Sequence, residues 1–341
     1  MEENMTENAI EMKNLTKKFG DFTAVDDLSL DIKENEIFGF LGPNGAGKST
    51  TIRMLCTLSN PTSGSAKIAG YDIMKDPAEV RKKIGLVAEK MIMYDTLTSA
   101  ENLRFFGKLY RIPNKKLEDR IDELLELVDM QKWKHTQIEK FSTGMKQRIN
   151  VIRALLPEPE IIFMDEPTLG LDPQTTYSIR DITREINKTG VTVILTTHAM
   201  VEAEALSDRV AIIDHGKIAA LDTPQNLKKL IAKSDVSIFG AEITNLTPKL
   251  IEKINSLDVV DAVSQQDVHK LKISANGTDP LNQIIDIIRH EGGNIASITK
   301  SDETTLEDVF LAITGTEIRD QATEKAASHY IDGEATKSRI R

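Results

Sequence analysis

The segment Gly42-Pro43-Asn44-Gly45-Ala46-Gly47-Lys48-Ser49-Thr50 fits the spacing G-x-x-x-x-G-K-[ST]. Its glycines let the backbone curl until successive N–H groups point inward, a cradle for phosphate oxygens. At the start of a helix, that cradle gains the positive partial charge of the helix N-terminus. The Lys48 ammonium can reach β and γ phosphates, and the Ser49 hydroxyl can bind Mg2+. The plainer alternative is a glycine turn with a chance lysine. A second group follows the apolar run Ile161-Ile162-Phe163-Met164, where Asp165 and Glu166 stand at the run's end. Asp165 would hold Mg2+ through water, and Glu166 could polarise an attacking water as a general base. Alone, such a pair reads as a strand end with solvated acids. Beside a phosphate loop it reads as chemistry.

These groups need a scaffold, and the apolar pattern supplies one. Residues 9–32 read as strands, ending in the alternation Leu28, Leu30, Ile32. A strand over 36–41 enters the phosphate loop, and Ile52, Leu55 and Cys56 then recur at helical spacing. Runs rich in Ile and Val at 161–165 and 191–197 read as buried parallel strands, with a helix over 174–189 between them. Residues 100–155 read as helical, with Leu117, Ile121, Leu124, Leu125 and Val128 in one stripe. The result is an α/β core with a helical insertion at about 95–155. Open sheets of this kind bind ligands at the carboxyl ends of their strands, where Asp165 and Glu166 fall. From 235 to 315 the order is strand, helix, two strands, helix, strand, helix, a ferredoxin-like α+β pattern. The expected domains are therefore 9–232 and 235–315, followed by a mobile tail at 316–341.

Composition narrows the class. The chain has 341 residues, enough for about two domains. Lys plus Arg is 43 against 53 Asp plus Glu, a net −10 that argues against a general nucleic-acid binder. A single cysteine, Cys56, excludes an intrachain disulfide and a cysteine-built zinc site. No stretch approaches the about 18 apolar residues of a spanning helix, and the acidic start is unlike a secretory signal. The expectation is an intracellular protein that, at a membrane, works through another chain.

Between and beyond the two groups lie further motifs. A guanine-specific site would need N-K-x-D, and Asn187-Lys188-Thr189-Gly190 lacks the acid. The chain instead resembles the ATP-binding subunits of ABC transporters over residues 9 to about 230. The family's signature peptide, L-S-G-G-Q, stands here as Phe141-Ser142-Thr143-Gly144-Met145. Asp172 closes the D-loop segment Leu169-Gly170-Leu171-Asp172, and His198 stands at the switch position after Thr196-Thr197. Phe19 occupies the place of an aromatic that stacks on adenine, with a core phenylalanine as the competing reading. The order and spacing of all these motifs agree.

The resemblance implies a P-loop ATPase core with a helical signature subdomain, binding ATP and Mg2+. It implies a head-to-tail homodimer in which Ser142, Thr143, Gly144 and Met145 of one copy face the nucleotide held by the other. Glu166 is then the base, His198 its partner at the γ-phosphate, and Ser49, Asp165 and Glu89 surround the metal. Two positions depart from the family pattern. Glu89 replaces the usual Gln, adding charge near the γ-phosphate, and Thr143 replaces a Gly, a difficulty if that position needs positive φ. The segment Thr304-Thr305-Leu306-Glu307-Asp308-Val309-Phe310-Leu311 resembles the ending of drug-resistance exporter ATPases, which work with a separate ABC-2 permease. The implied protein is the ATP-hydrolysing subunit of a small-molecule exporter, peripheral on the inner face of the cell membrane. Met91, Ile92, Met93 and Tyr94 form a patch that could meet the permease or fill subdomain core. A soluble ABC ATPase, or a low-turnover nucleotide-dependent regulator, is the alternative.

Overall fold

A computed structural model describes residues 8–232, 237–277, 279–300 and 304–314. They form two compact units, 8–41 with 46–218 and 42–45 with 219–314. The tail expected at 316–341 lies outside the described residues.

The first unit opens with β1 (Asn8–Phe19), β2 (Phe22–Lys33), β3 (Ile37–Leu41), α1 (Lys48–Leu55), β4 (Ser63–Ile68), β5 (Tyr71–Asp72), α2 (Pro77–Lys83) and β6 (Ile84–Val87). It continues through α3 (Ser99–Leu109), α4 (Asn114–Leu127), α5 (Thr143–Leu155), β7 (Ile161–Asp165), α6 (Pro173–Lys188), β8 (Thr192–Thr197), α7 (Met200–Leu206) and β9 (Arg209–Asp214). Antiparallel strands pair in the order β2-β1-β4-β5. Parallel strands run in the order β9-β3-β8-β7-β6. Every residue of β3 and β8 is buried, as expected of parallel strands covered on both faces. The register sets Asp165 beside Thr196, so the ends of β7 and β8 present their side chains together.

The insertion is three α-helices and two short 3-10 turns rather than one continuous helical stretch. Arg111 (φ 60°) and Asp129 (φ 55°) leave helical space, and Pro113 precedes α4. Thr98 starts α3 with a capping box closed by Glu101. The stripe read from the sequence is the buried face: Leu117, Ile121, Leu124, Leu125 and Val128 lie in the core with Leu103 and Ile149. The lone cysteine, Cys56, is buried, and burial pushes its thiol well above the usual range.

In the chain, β10 (Lys217–Asp222) straddles the division between the units and leads to α8 (Pro224–Ala232). The second unit then runs β11 (Ser237–Thr244), α9 (Pro248–Asn255), β12 (Val260–Asp267), β13 (Lys270–Ala275), α10 (Pro280–His290), β14 (Asn294–Lys300) and α11 (Leu306–Thr314). Its antiparallel sheet has the order β12-β13-β11-β14, the ferredoxin-like arrangement with the first and third strands in the middle. Leu250, Ile254, Ile284 and Ile288 from α9 and α10 bury against Phe239, Ala241, Ile243 and Ile273. The final helix, α11, packs on α8.

Candidate functional site

The start of α1 is built around a glycine. Gly47 takes φ 108° as the N-cap, and a Cβ there would stand 2.5 Å from the Ala24 carbonyl oxygen. No side chain fits at that position, so no side chain caps the helix. The start of α1 sets a helix dipole behind the Lys48 end of the loop, an arrangement that favours an anion there. The Gly47 carbonyl is occupied, accepting from the Thr51 N–H (2.9 Å) and hydroxyl (3.0 Å). The Ala46 carbonyl accepts from the Gly216 N–H at 3.0 Å. Ahead of them in the chain, Gly42 is buried, Asn44 and Gly45 are exposed, and Gly45 also takes positive φ.

Lys48 is 4% exposed, with its ammonium 3.4 Å from a Glu166 carboxylate oxygen. Burial pulls its pKa below the usual lysine value, although the charges of Glu166 and Asp165 oppose the shift. A phosphate brought here would favour the charged form that burial disfavours.

Both carboxylates come from the end of β7: Asp165 is its last residue and Glu166 the next, beside Thr196 of β8. Asp165 Oδ1 accepts from the Ser49 hydroxyl (2.9 Å) and the Thr196 hydroxyl (2.6 Å). Glu166 adopts left-handed backbone, φ 48°, a conformation that costs a non-glycine residue about 1–3 kcal/mol. Its N–H donates to both the carbonyl (3.2 Å) and the hydroxyl (3.0 Å) of Thr196. Its side chain is nearly buried, and Oε2 stands 2.9 Å from His198 Nδ1. Burial raises the Glu166 pKa, but the His198 hydrogen bond and the Lys48 charge outweigh it, holding the carboxyl below the usual range. The arrangement is an ionised, oriented carboxylate beside an ammonium and a hydroxyl–carboxylate pair.

Ser142 caps α5, its hydroxyl accepting from the Met145 N–H at 3.3 Å. Thr143 is the first residue of α5 and stays outside positive φ, so it is not strained there. Gly144 is needed for packing: a Cβ would come within 2.5 Å of Thr175 Cγ2. Thr175 also bonds the D-loop carboxylate, its N–H 3.0 Å and its hydroxyl 2.6 Å from Asp172, which caps α6. Those bonds hold the Asp172 carboxyl below its usual value. One threonine therefore joins the starts of α5 and α6.

Described contacts thus bring Lys48, Ser49, Asp165, Glu166 and His198 into one network. Phe19, Glu89 and the Ser142–Met145 segment lie outside it. Phe19 is 55% exposed with the Lys17 ammonium 5.0 Å from its ring centre, which removes the reading as a core phenylalanine. Glu89 is exposed in the bend after β6. Thr196 is the member that sequence reasoning missed. A hydroxyl at the end of a strand paired in register with Asp165 was the available signal.

Comparison with known proteins agrees with this geometry. A family model described as ABC transporter matches residues 25–169. The linearmycin resistance ATP-binding protein LnrL of Bacillus subtilis (strain 168) is 37% identical over 314 residues, spanning 91% of this chain and all of that protein. The daunorubicin resistance ATP-binding protein DrrA2 of Streptomyces coeruleorubidus is 32% identical over 94% of this chain and 99% of its own length. Among solved structures, a dimeric ATP-binding cassette in a post-hydrolysis state with ADP and Pi superposes with a TM-score of 0.57 at 29% identity, covering 63% of this chain and 98% of its own. Relatives that match almost end to end place this chain in the ABC transporter family as an ATP-binding subunit.

Proposed function

We propose that this protein hydrolyses ATP in a head-to-tail homodimer and thereby drives export of a small molecule through a separate integral membrane permease. The observation that carries this reading is the Glu166 carboxylate, ionised between His198 and Lys48 at the mouth of a phosphate loop.

Each side chain then has a task. The backbone of Gly42–Thr50 cradles the phosphates, and Lys48 grips the β and γ groups. Glu166 accepts a proton from the attacking water, and His198 orients Glu166 while touching the γ-phosphate. Phe19 stacks on adenine. Ser142, Thr143, Gly144 and Met145 close the partner copy's site with the N-terminus of α5, and Asp172 stands at the same junction. The Ser49 and Asp165 oxygens are hard donors 2.9 Å apart, and no group of three or more His, Cys, Asp or Glu gathers among the described residues. Mg2+ takes such a sparse set because it completes its shell with phosphate oxygens and water. Ser49 and Asp165 would hold it, with Glu89 the further ligand that the family pattern implies, and it would neutralise charge on the phosphates.

No helix among the described residues is long and apolar enough to cross a membrane, so the reading assigns the spanning part to the permease. A surface suited to it lies beside Glu89. Ile92 and Tyr94 are 62% and 47% exposed, and the Tyr94 ring packs edge-on against Phe105 at 4.9 Å. Exposed apolar clusters of this kind mark interaction sites. Residues 9–232 would bind nucleotide at the inner membrane face, with 235–315 as an accessory domain. The names of the relatives, resistance to linearmycin and daunorubicin, favour efflux of a small toxic compound.

The test is magnesium-dependent ATP turnover of the purified chain against Glu166→Gln. Loss of a positioned base should lower kcat by about 100-fold or more while ATP still binds. Equal turnover would end the assignment of Glu166.

A further inference from the structure

A buried polar chain runs through α5 behind the site. The Gln147 side-chain amide is buried, and its Nε2 donates to the Pro167 carbonyl at 2.6 Å. Its Oε1 accepts from Asn150 Nδ2 at 3.2 Å. Asn150, fully buried, also donates to the Ala88 carbonyl at 3.3 Å. The carbonyls at both ends can only accept, which fixes the orientation of each amide. The chain therefore joins the loop after Glu166 to the residue before Glu89, through the helix whose N-terminus carries Ser142.

Pro167 directly follows the one site residue with costly backbone. A left-handed glutamate persists only where its surroundings over-determine it. Thr196 holds the Glu166 N–H, and the Leu169 N–H holds the Glu166 carbonyl at 3.2 Å. Gln147 holds the next carbonyl along. Without that donor, the Pro167 peptide would be buried with an unsatisfied oxygen and free to rotate toward another partner. The freed oxygen belongs to the Pro167–Thr168 peptide, and its displacement reaches Glu166 through the Pro167 ring, whose fixed φ makes a stiff link.

We propose that Gln147, oriented by Asn150, is a positioning residue for hydrolysis: its grip on the Pro167 carbonyl keeps the Glu166 carboxylate aimed at the attacking water. This rests on the reading of Glu166 as the base. The same helix presents Ser142–Met145 to the partner copy, so a shift of α5 on closing would reach Glu166 of its own chain through Gln147.

The experiment measures steady-state ATP turnover of the full chain carrying Q147L, Q147E, E166Q and the double variant Q147L/E166Q. Q147L keeps the shape and removes the donor. It should lower kcat about tenfold with KM for ATP within about twofold, the pattern of an interaction that matters in the transition state. In the E166Q background it should cost nothing further. Q147E supplies a group that donates to Pro167 only when protonated. Its kcat relative to wild type should recover on the acid side and fall as pH rises through the elevated pKa of a buried carboxyl. Wild-type kcat in Q147L would overturn the inference, as would a loss fully additive with E166Q. Should Q147L fail to fold, the Q147E profile decides, and a pH-independent ratio overturns the proposal. If E166Q itself turns over normally, the assignment of the base falls, and this inference falls with it; normal Q147L with an impaired E166Q refutes the inference alone.

Discussion

Two lysines, one buried and one partly buried, show how differently one chain can use the same side chain. Lys48, at the start of α1, has its nearest described carboxylate oxygen 3.4 Å away, and burial wins: its pKa is lowered. Lys272, on β13, is also desolvated, but Asp308 at 2.7 Å and Glu307 at 3.1 Å outweigh that, and its pKa is raised. Asp308 is itself held by the Thr305 N–H (2.7 Å) and hydroxyl (2.8 Å). The Lys272 cluster is internally compensated, and it fastens α11 to the sheet of the second unit. The Lys48 cluster lowers the ammonium's hold on its proton, and an anion brought beside it would restore that hold. Net compensation, more than burial, separates structural ion pairs from functional ones.

Removing each ammonium gives the largest expected effects, and they should fall in different columns. Lys48→Met should lower turnover by about 100-fold or more, since electrostatic stabilisation of the transferring phosphoryl group is lost. Its thermal midpoint should stay near that of the parent, because an ammonium disfavoured by burial has gone. Asp308→Ala should do the reverse. It removes the nearer of the two carboxylates at Lys272 and leaves the Thr305 N–H without its acceptor, a loss of about 1–3 kcal/mol. Limited proteolysis or hydrogen exchange of residues 237–314 would register that loss. Turnover per folded molecule should be unchanged. The comparison breaks if Lys48→Met destabilises as much as Asp308→Ala.

Alkaline pH sharpens the contrast, because the two shifts have opposite signs. The stabilisation from Lys272 is fully present below the ordinary lysine value of 10.5 and is lost as pH rises through the higher folded value. The folded protein releases the Lys48 proton before the unfolded chain does, so that term raises stability with pH between the lowered folded value and 10.5. Denaturant melts of Lys272→Met and Lys48→Met against the parent, from about pH 8 to above 10.5, should therefore yield difference curves of opposite slope. Slopes of the same sign would mean that one of the two environments has been misjudged.

What the sequence discloses follows the range of the physics involved. The phosphate loop is legible because strand, turn and helix lie within a few residues, and Gly47 can be read from its neighbours alone. The ferredoxin-like unit is legible because its strands and helices alternate cleanly. Thr196 is not legible, since it meets Asp165 only through the parallel register of β7 and β8. Gln147 reads as one polar residue in a helix until Pro167, 20 positions away, is folded against it. The break between α4 and α5 is hidden for another reason: Asp129 leaves helical space without a glycine or proline to announce it. Phe19 reads as an accessible ring only through the family resemblance, because hydrophobicity alone predicts burial.

The smallest expected effect concerns Thr143, where sequence and structure give opposite forecasts. By family pattern, glycine belongs there, and Thr143→Gly should restore a missing freedom. By geometry, Thr143 is an ordinary first helical residue outside positive φ, and the close approach that demands glycine falls one position later, at Gly144 against Thr175. In the terms of the two lysines, Thr143 belongs with Lys272, a position already satisfied. Thr143→Gly should then lower stability by about 0.5 kcal/mol or less, helix starts being tolerant of glycine. Turnover should change less than about threefold, equivalent to well under 1 kcal/mol in the barrier. A gain of tenfold or more would mean that the threonine side chain obstructs the partner's nucleotide, a strain visible only in the closed dimer.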